Sequence, residues 1–134
     1  MNFELSEEQQ LLRETVRDFS LTRVQPVAAE LDREARFPYD LVAEMAELGL
    51  MGIPIPEEYG GAGADTVSYA IAVEELTRID SSVAITLAAH TSLGTMPIYL
   101  FGSEAQKREW LPRLASGEAL AAFGLTEPDA GSDA

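Results

Sequence analysis

Apolar positions along the chain fall into stripes at helical spacing, separated by clear punctuation. Ser6 with Gln9 three residues on makes a Ser-x-x-Gln capping box. Leu12, Val16 and Phe19 then share one face, with Glu14, Arg17 and Asp18 opposite. Val24, Val27, Ala28 and Leu31 form a second stripe, with Pro26 near its start, where a missing amide donor costs little. Phe37-Pro38 closes that helix and opens another, striped by Leu41, Val42, Met45 and Leu48 and stopped by Gly49. The run from Met51 to Asp65 holds two prolines and four glycines and reads as a long fixed loop. A helix follows from Asp65 or Thr66 to Arg78. Ser81-Ser82 offers N-caps for a segment from Val83 to Leu100 that is apolar on every side in its first half, as a buried helix is. Pro97 is expected to end or kink it. Ser103-x-x-Gln106 is a second capping box, opening a short helix with Trp110, Leu111 and Leu114 that ends around Ser116-Gly117. Leu120 to Leu125 reads as one short strand. The pattern predicts an all-α fold of about six helices with that strand at its C-terminal end, and the strand has no partner in the chain.

Composition narrows the function classes. The 134 residues are 46 % hydrophobic and 24 % charged, enough to bury a core and one domain in length. Nine Lys and Arg against 23 Asp and Glu give a net charge of −14, a field that repels nucleic-acid phosphates and anionic lipid. There is no cysteine, and His90 is the single histidine, so neither a thiolate nucleophile nor a His/Cys metal site is available. The first ten residues carry no basic side chain, unlike a secretory or transit leader, and the apolar stretch Val83–Ala89 is too short to span a bilayer. A cytoplasmic protein without membrane or nucleic-acid partners is expected.

Several motifs invite chemistry and carry little of it. Gly61-x-Gly63 lacks the third glycine and the preceding strand of a dinucleotide fingerprint, so a structural turn is favoured. His90 has no carboxylate at helical spacing and reads as a packed or surface-reaching histidine. Glu57-Glu58 and Glu74-Glu75 are adjacent pairs that point about 100° apart on a helix and read as solvated acids, with Glu74 the one closer to an apolar row. Lys107, Arg108 and Arg113 around Trp110 form the only basic cluster, read as a solvated face. The segment from Phe123 to Asp133 differs in kind. Its hydroxyls, proline turn and Gly-Ser pair point amide N–H groups into one concavity, suited to an anion or a heteroaromatic edge.

Gly-Leu-Thr-Glu-Pro-Asp-Ala-Gly-Ser-Asp at 124–133 resembles the first signature of the acyl-CoA dehydrogenase family. Leu5-Ser6-Glu7-Glu8-Gln9, Phe37-Pro38, Gly49-Leu50-Met51-Gly52, Pro56-Glu57-Glu58-Tyr59-Gly60-Gly61 and Gly102-Ser103-Glu104-Ala105-Gln106-Lys107 resemble family positions in the same order. The resemblance implies an orthogonal or up-down helical bundle over residues 1–118 and the opening of a β-domain over 119–134, within a longer parent. It implies α,β-dehydrogenation of an acyl-CoA thioester with FAD as hydride acceptor, and an electron-transfer flavoprotein as the electron acceptor. It places Phe123, Gly124, Leu125, Thr126 and Ser132 against FAD, Ser132 also near the CoA portion, and the helix holding Ile85, Ala89 and Leu93 beside the acyl pocket. The catalytic glutamate is expected beyond Ala134, so Glu57, Glu74 and Glu127 are not assigned that role. The full-length protein is expected to be a homodimer or homotetramer. A helical association domain without redox chemistry, or a related oxidase or flavin monooxygenase, is the alternative. Asp129 stands where a small residue is common and is expected to face solvent.

Overall fold

The computed structural model describes residues 4–133 as helices, short turns and a C-terminal tail without regular secondary structure. The α-helical segments are α1 (Glu7–Phe19), α2 (Gln25–Glu34), α3 (Tyr39–Glu47), α4 (Thr66–Thr77), α5 (Ser81–Ala88), α6 (Met96–Phe101) and α7 (Glu104–Ala115). Both Ser capping boxes form: the Ser6 and Ser103 side chains accept from the Gln9 and Gln106 amides, while each glutamine reaches back to the serine amide. Asp65 caps α4 by accepting from the Ser68 amide, a bond that holds its carboxyl below the usual range. The cap of α5 is Asp80, not Ser81 or Ser82: its carboxylate takes the Val83 amide at 2.8 Å.

Two π-helical turns change the count. Ser20–Val24 joins α1 to α2, and Ala89–Thr95 joins α5 to α6, so the described residues form five continuous helices instead of about six. Each π turn lies directly ahead of a proline, Pro26 and Pro97. A proline ring clashes with the carbonyl four residues back and offers it no N–H. Widening the turn, so that Gln25 bonds Ser20 O and Met96 bonds Thr91 O, lets the helix pass without breaking. Pro97 therefore neither ends nor breaks the helix. The resulting helix, Ser81–Phe101, is long and apolar enough to cross a bilayer by length and composition, and 39 % of its apolar 18-residue window is buried inside this chain. Leu87, Val83 and Ala84 on its inner face are at most 2 % exposed.

The main core gathers Val16, Phe19, Val24, Leu41, Met45, Met51, Leu76 and Leu87, where α4 packs between α1 and α5 and α3 adds Leu41 and Met45. A smaller cluster of Ile55, Tyr59, Leu111 and Ala115 seats α7 on the loop. The 51–65 loop is fixed as expected, with two 3-10 turns, Leu50–Gly52 and Glu57–Tyr59, and with Met51, Ile53 and Ile55 buried. Gly61 is a packing glycine: a Cβ there would lie 2.0 Å from the Ile55 carbonyl oxygen.

The acids sort differently from the sequence expectation. Glu75 is buried at 4 % exposure and Glu74 is exposed, because α4 turns its Ser68, Ala72 and Glu75 row toward α1. Arg17 grips Glu75 with two bonds, at 2.7 and 3.0 Å, which holds the carboxyl below its usual range. The strand expected at Leu120–Leu125 does not form, and among the described residues there are no strands. A strand needs a neighbour to bond. The tail has no regular secondary structure, up to a tight turn in which Glu127 and Ala130 exchange backbone bonds around Pro128-Asp129.

Candidate functional site

The Ser81–Phe101 helix has two faces. Its inner face belongs to the core, while Ile85 and Leu93 are 62 % and 49 % exposed and Ala89 is half-buried. Apolar character all round thus leaves a free apolar face in this chain. Ile85 lines a shallow open hollow with Val73, Thr77 and Ala88, whereas Ala89 and Leu93 lie outside it.

The C-terminal tail meets this helix at the π turn. His90, buried at 1 % exposure, takes the Ala121 amide on Nδ1 at 3.1 Å. Beside it the backbone approach is close: a Cβ on Gly94 would come within 2.2 Å of Ala121 Cβ. Because Nδ1 accepts, Nε2 carries the ring proton. Thr95 spends its hydroxyl hydrogen on the His90 carbonyl at 2.8 Å, so its oxygen, 3.4 Å away, faces Nε2–H. Burial pushes the His90 pKa down, against a smaller upward pull from the Met51 and Leu114 carbonyls. The Ala121 bond thus selects the neutral Nε2–H form of the ring.

Beyond that anchor the tail offers donors and no partners. Phe123, Gly124, Leu125 and Thr126 are all exposed, and no hydrogen bond is donated by the amides of 122–126 or by the Thr126 hydroxyl among the described residues. A Cβ on Gly124 would meet nothing within 4 Å. Free N–H groups beside an open glycine suit the edge of a flat heteroaromatic ring. Ser132 is exposed past the turn, and Asp129 faces solvent. The tail and the Ile85–Ala89–Leu93 helix are thus brought together at one point, Ala121 on His90 and Gly94, while the side chains expected to touch ligand stay uncovered.

The remaining candidates are structural. Glu57 and Glu58 are solvated. The basic cluster is split up: Lys107 pairs with Glu104 at 3.5 Å and lies over the Tyr99 ring, and Arg113 pairs with Glu118 at 2.8 Å beside Trp110. Tyr59 donates to Glu104 at 3.0 Å, and burial pushes its hydroxyl pKa up. Among the described residues no group of three His, Cys, Asp or Glu side chains could hold a metal ion. Sequence reasoning missed the partner of His90. The only signal for it was the His-x-x-x-Gly spacing on an apolar helix, which by itself names no partner.

Known proteins resemble this chain over nearly its whole length. Residues 6–118 match the family described as acyl-CoA dehydrogenase, N-terminal domain. A probable acyl-CoA dehydrogenase of Bacillus subtilis is 55 % identical over 134 residues, which cover 100 % of this chain and 35 % of that protein. The solved butyryl-CoA dehydrogenase of Megasphaera elsdenii is 43 % identical with a TM-score of 0.93, over 99 % of this chain and 36 % of that one. A Bacillus anthracis acyl-CoA dehydrogenase solved in complex with FAD is 44 % identical with a TM-score of 0.87, over 97 % of this chain and 22 % of the other. The chain therefore spans about a third of the length of the curated relative it matches. With that match covering the helical body, and with the tail's free donors following it, the chain belongs to the acyl-CoA dehydrogenase family.

Proposed function

We propose that the chain is the N-terminal part of a flavin-dependent acyl-CoA dehydrogenase, with residues 1–118 as its helical domain and 119–134 as the start of a β-domain. The end of α7 at Ala115 and the family match to 6–118 support that division. The observation that carries the reading is the tail's unpaired donor row from 122 to 126 beside the open face of Gly124. Bound there, FAD would supply the hydride acceptor that no side chain can provide.

The chain's own residues bind and orient. Leu125 and Thr126 would hold the flavin through backbone and hydroxyl bonds, with Phe123, Gly124 and Ser132 as further contacts, Ser132 also for the CoA portion. Ile85, Ala89 and Leu93 give the acyl chain an apolar wall and keep water from it. Removal of the α-proton needs a base that this chain does not supply. The acyl-CoA thioester and an electron-transferring flavoprotein are the proposed partners. A homo-oligomer and a cytoplasmic location belong to the same proposal, supported by the exposed apolar Phe101 and Leu100 and by the acidic composition.

Replacing Thr126 with Val in a form extended by the remaining two thirds of a relative tests the reading. Loss of one neutral hydrogen bond is worth about 0.5–1.5 kcal/mol, so FAD retention should weaken several-fold without being abolished. Unchanged flavin occupancy together with an unchanged redox potential would reject the assignment of Thr126.

A further inference from the structure

We propose that His90 is a positioning residue, which with Gly94 sets the register of the 122–126 segment by holding the Ala121 amide. The proposal rests on the flavin reading above for its purpose, and on the geometry for its existence. From Leu120 to Asp133, the His90–Ala121 bond is the only hydrogen bond between tail and helical body among the described residues. No residue of that stretch is fully buried, so packing adds little to hold it. The preceding anchor, from the Ala119 amide to the Arg113 carbonyl at 3.1 Å, fixes where the tail leaves α7 but not which way it then runs.

The π turn supplies the geometry. It places His90, Thr91, Gly94 and Thr95 on the buried side, so that ring and glycine face the same residue of the tail. Any side chain at position 94 would occupy the volume of Ala121. The imidazole can accept the amide only while neutral and only as the Nε2–H tautomer, and burial favours the neutral ring. The groups facing the ring are the Met51 and Leu114 carbonyls and the Thr95 hydroxyl, and no carboxylate or cation contributes to its titration. A histidine that only filled space would need neither a fixed tautomer nor a backbone donor on Nδ1. Slipping the tail by one residue would change which of the 122–126 amides stands at each position along the helix.

Amide exchange and ring ¹⁵N shifts on the 134-residue chain test the bond without any flavin. The Ala121 amide should exchange on the order of five- to tenfold more slowly than that of Ala122, and the ring should report the neutral Nε2–H tautomer. His90→Asn, whose carbonyl can stand in for Nδ1, should keep most of that protection. His90→Leu should abolish it, and Gly94→Ala should do so with the imidazole intact. Acidification through the histidine titration should lower the protection of the Ala121 amide, read as its rate relative to Ala122 at the same pH, in the parent chain but not in His90→Asn, a difference that a purely structural role would not produce. In the extended flavoprotein, His90→Leu should lose FAD several-fold more readily than His90→Asn. Rapid Ala121 exchange in the parent chain, or a protected amide in His90→Leu, would overturn the proposal. An extended protein that binds no FAD would instead defeat the flavin reading, with the Ala121 result still deciding the role of His90.

Discussion

Leu87 and Ile85 lie two residues apart on the same helix and should behave in opposite ways when truncated. Leu87 is 0 % exposed and part of the main core, whereas Ile85 is 62 % exposed. Cutting Leu87 to Ala removes three buried carbons, worth about 0.8 kcal/mol each in transfer, and leaves a cavity that the neighbouring helices can only partly close. The total is about 2–5 kcal/mol. The same cut at Ile85 costs about 1 kcal/mol or less, since most of that side chain is already in water. At this chain length, one kcal/mol moves the thermal midpoint by about 4 °C. Leu87→Ala should therefore lower Tm by roughly 8–20 °C and Ile85→Ala by no more than about 4 °C. Thermal unfolding followed by far-UV circular dichroism reads both. Equal shifts would refute the two-faced helix and with it the free apolar wall assigned to Ile85, Ala89 and Leu93.

Two further outcomes follow from the same geometry. Ala89→Phe in an extended active form should move substrate preference toward shorter acyl chains, because the small side chain at 89 leaves room along that face; an unchanged substrate profile at full rate would remove Ala89 from the pocket. Arg17 holds the Glu75 carboxyl below its usual range, so that pair contributes stability above the ordinary carboxylate pKa that is lost as pH falls through the lowered one. Arg17→Met leaves Glu75 buried without its main partner and should move the onset of acid unfolding to higher pH, whereas an unmoved acid transition would show that the pair does not matter.

Local chemistry was legible in the sequence and long-range partners were not. Both serine capping boxes, the Asp65 cap and the stop at Gly49 depend on residues within four positions of one another, and all four are present. The π turns were missed because a proline inside a helical stripe reads as a break, and only the widened turn reveals that the helix continues. Choosing between Glu74 and Glu75 required knowing which row of α4 faces Arg17, 58 residues away in sequence. His90 read correctly as a packed residue, but its bond to Ala121 spans 31 residues and has no local signature. The strand reading failed for a different reason. Leu120–Leu125 has strand composition, but strand structure belongs to a pair, and no second strand exists among the described residues.

The central claim is that this chain forms one side of a flavin site and not the whole of it. Visible absorbance after incubation with FAD tests it, comparing the 134-residue chain with the same chain joined to the remaining two thirds of the Bacillus subtilis relative. A few hydrogen bonds from one segment cannot offset the roughly 4–15 kcal/mol of freedom that association costs. The chain alone should stay colourless after desalting and inert toward any acyl-CoA. The joined protein should hold stoichiometric flavin that bleaches when acyl-CoA is added. A yellow 134-residue chain, or a joined and folded protein whose flavin never bleaches with any acyl-CoA, would contradict the account.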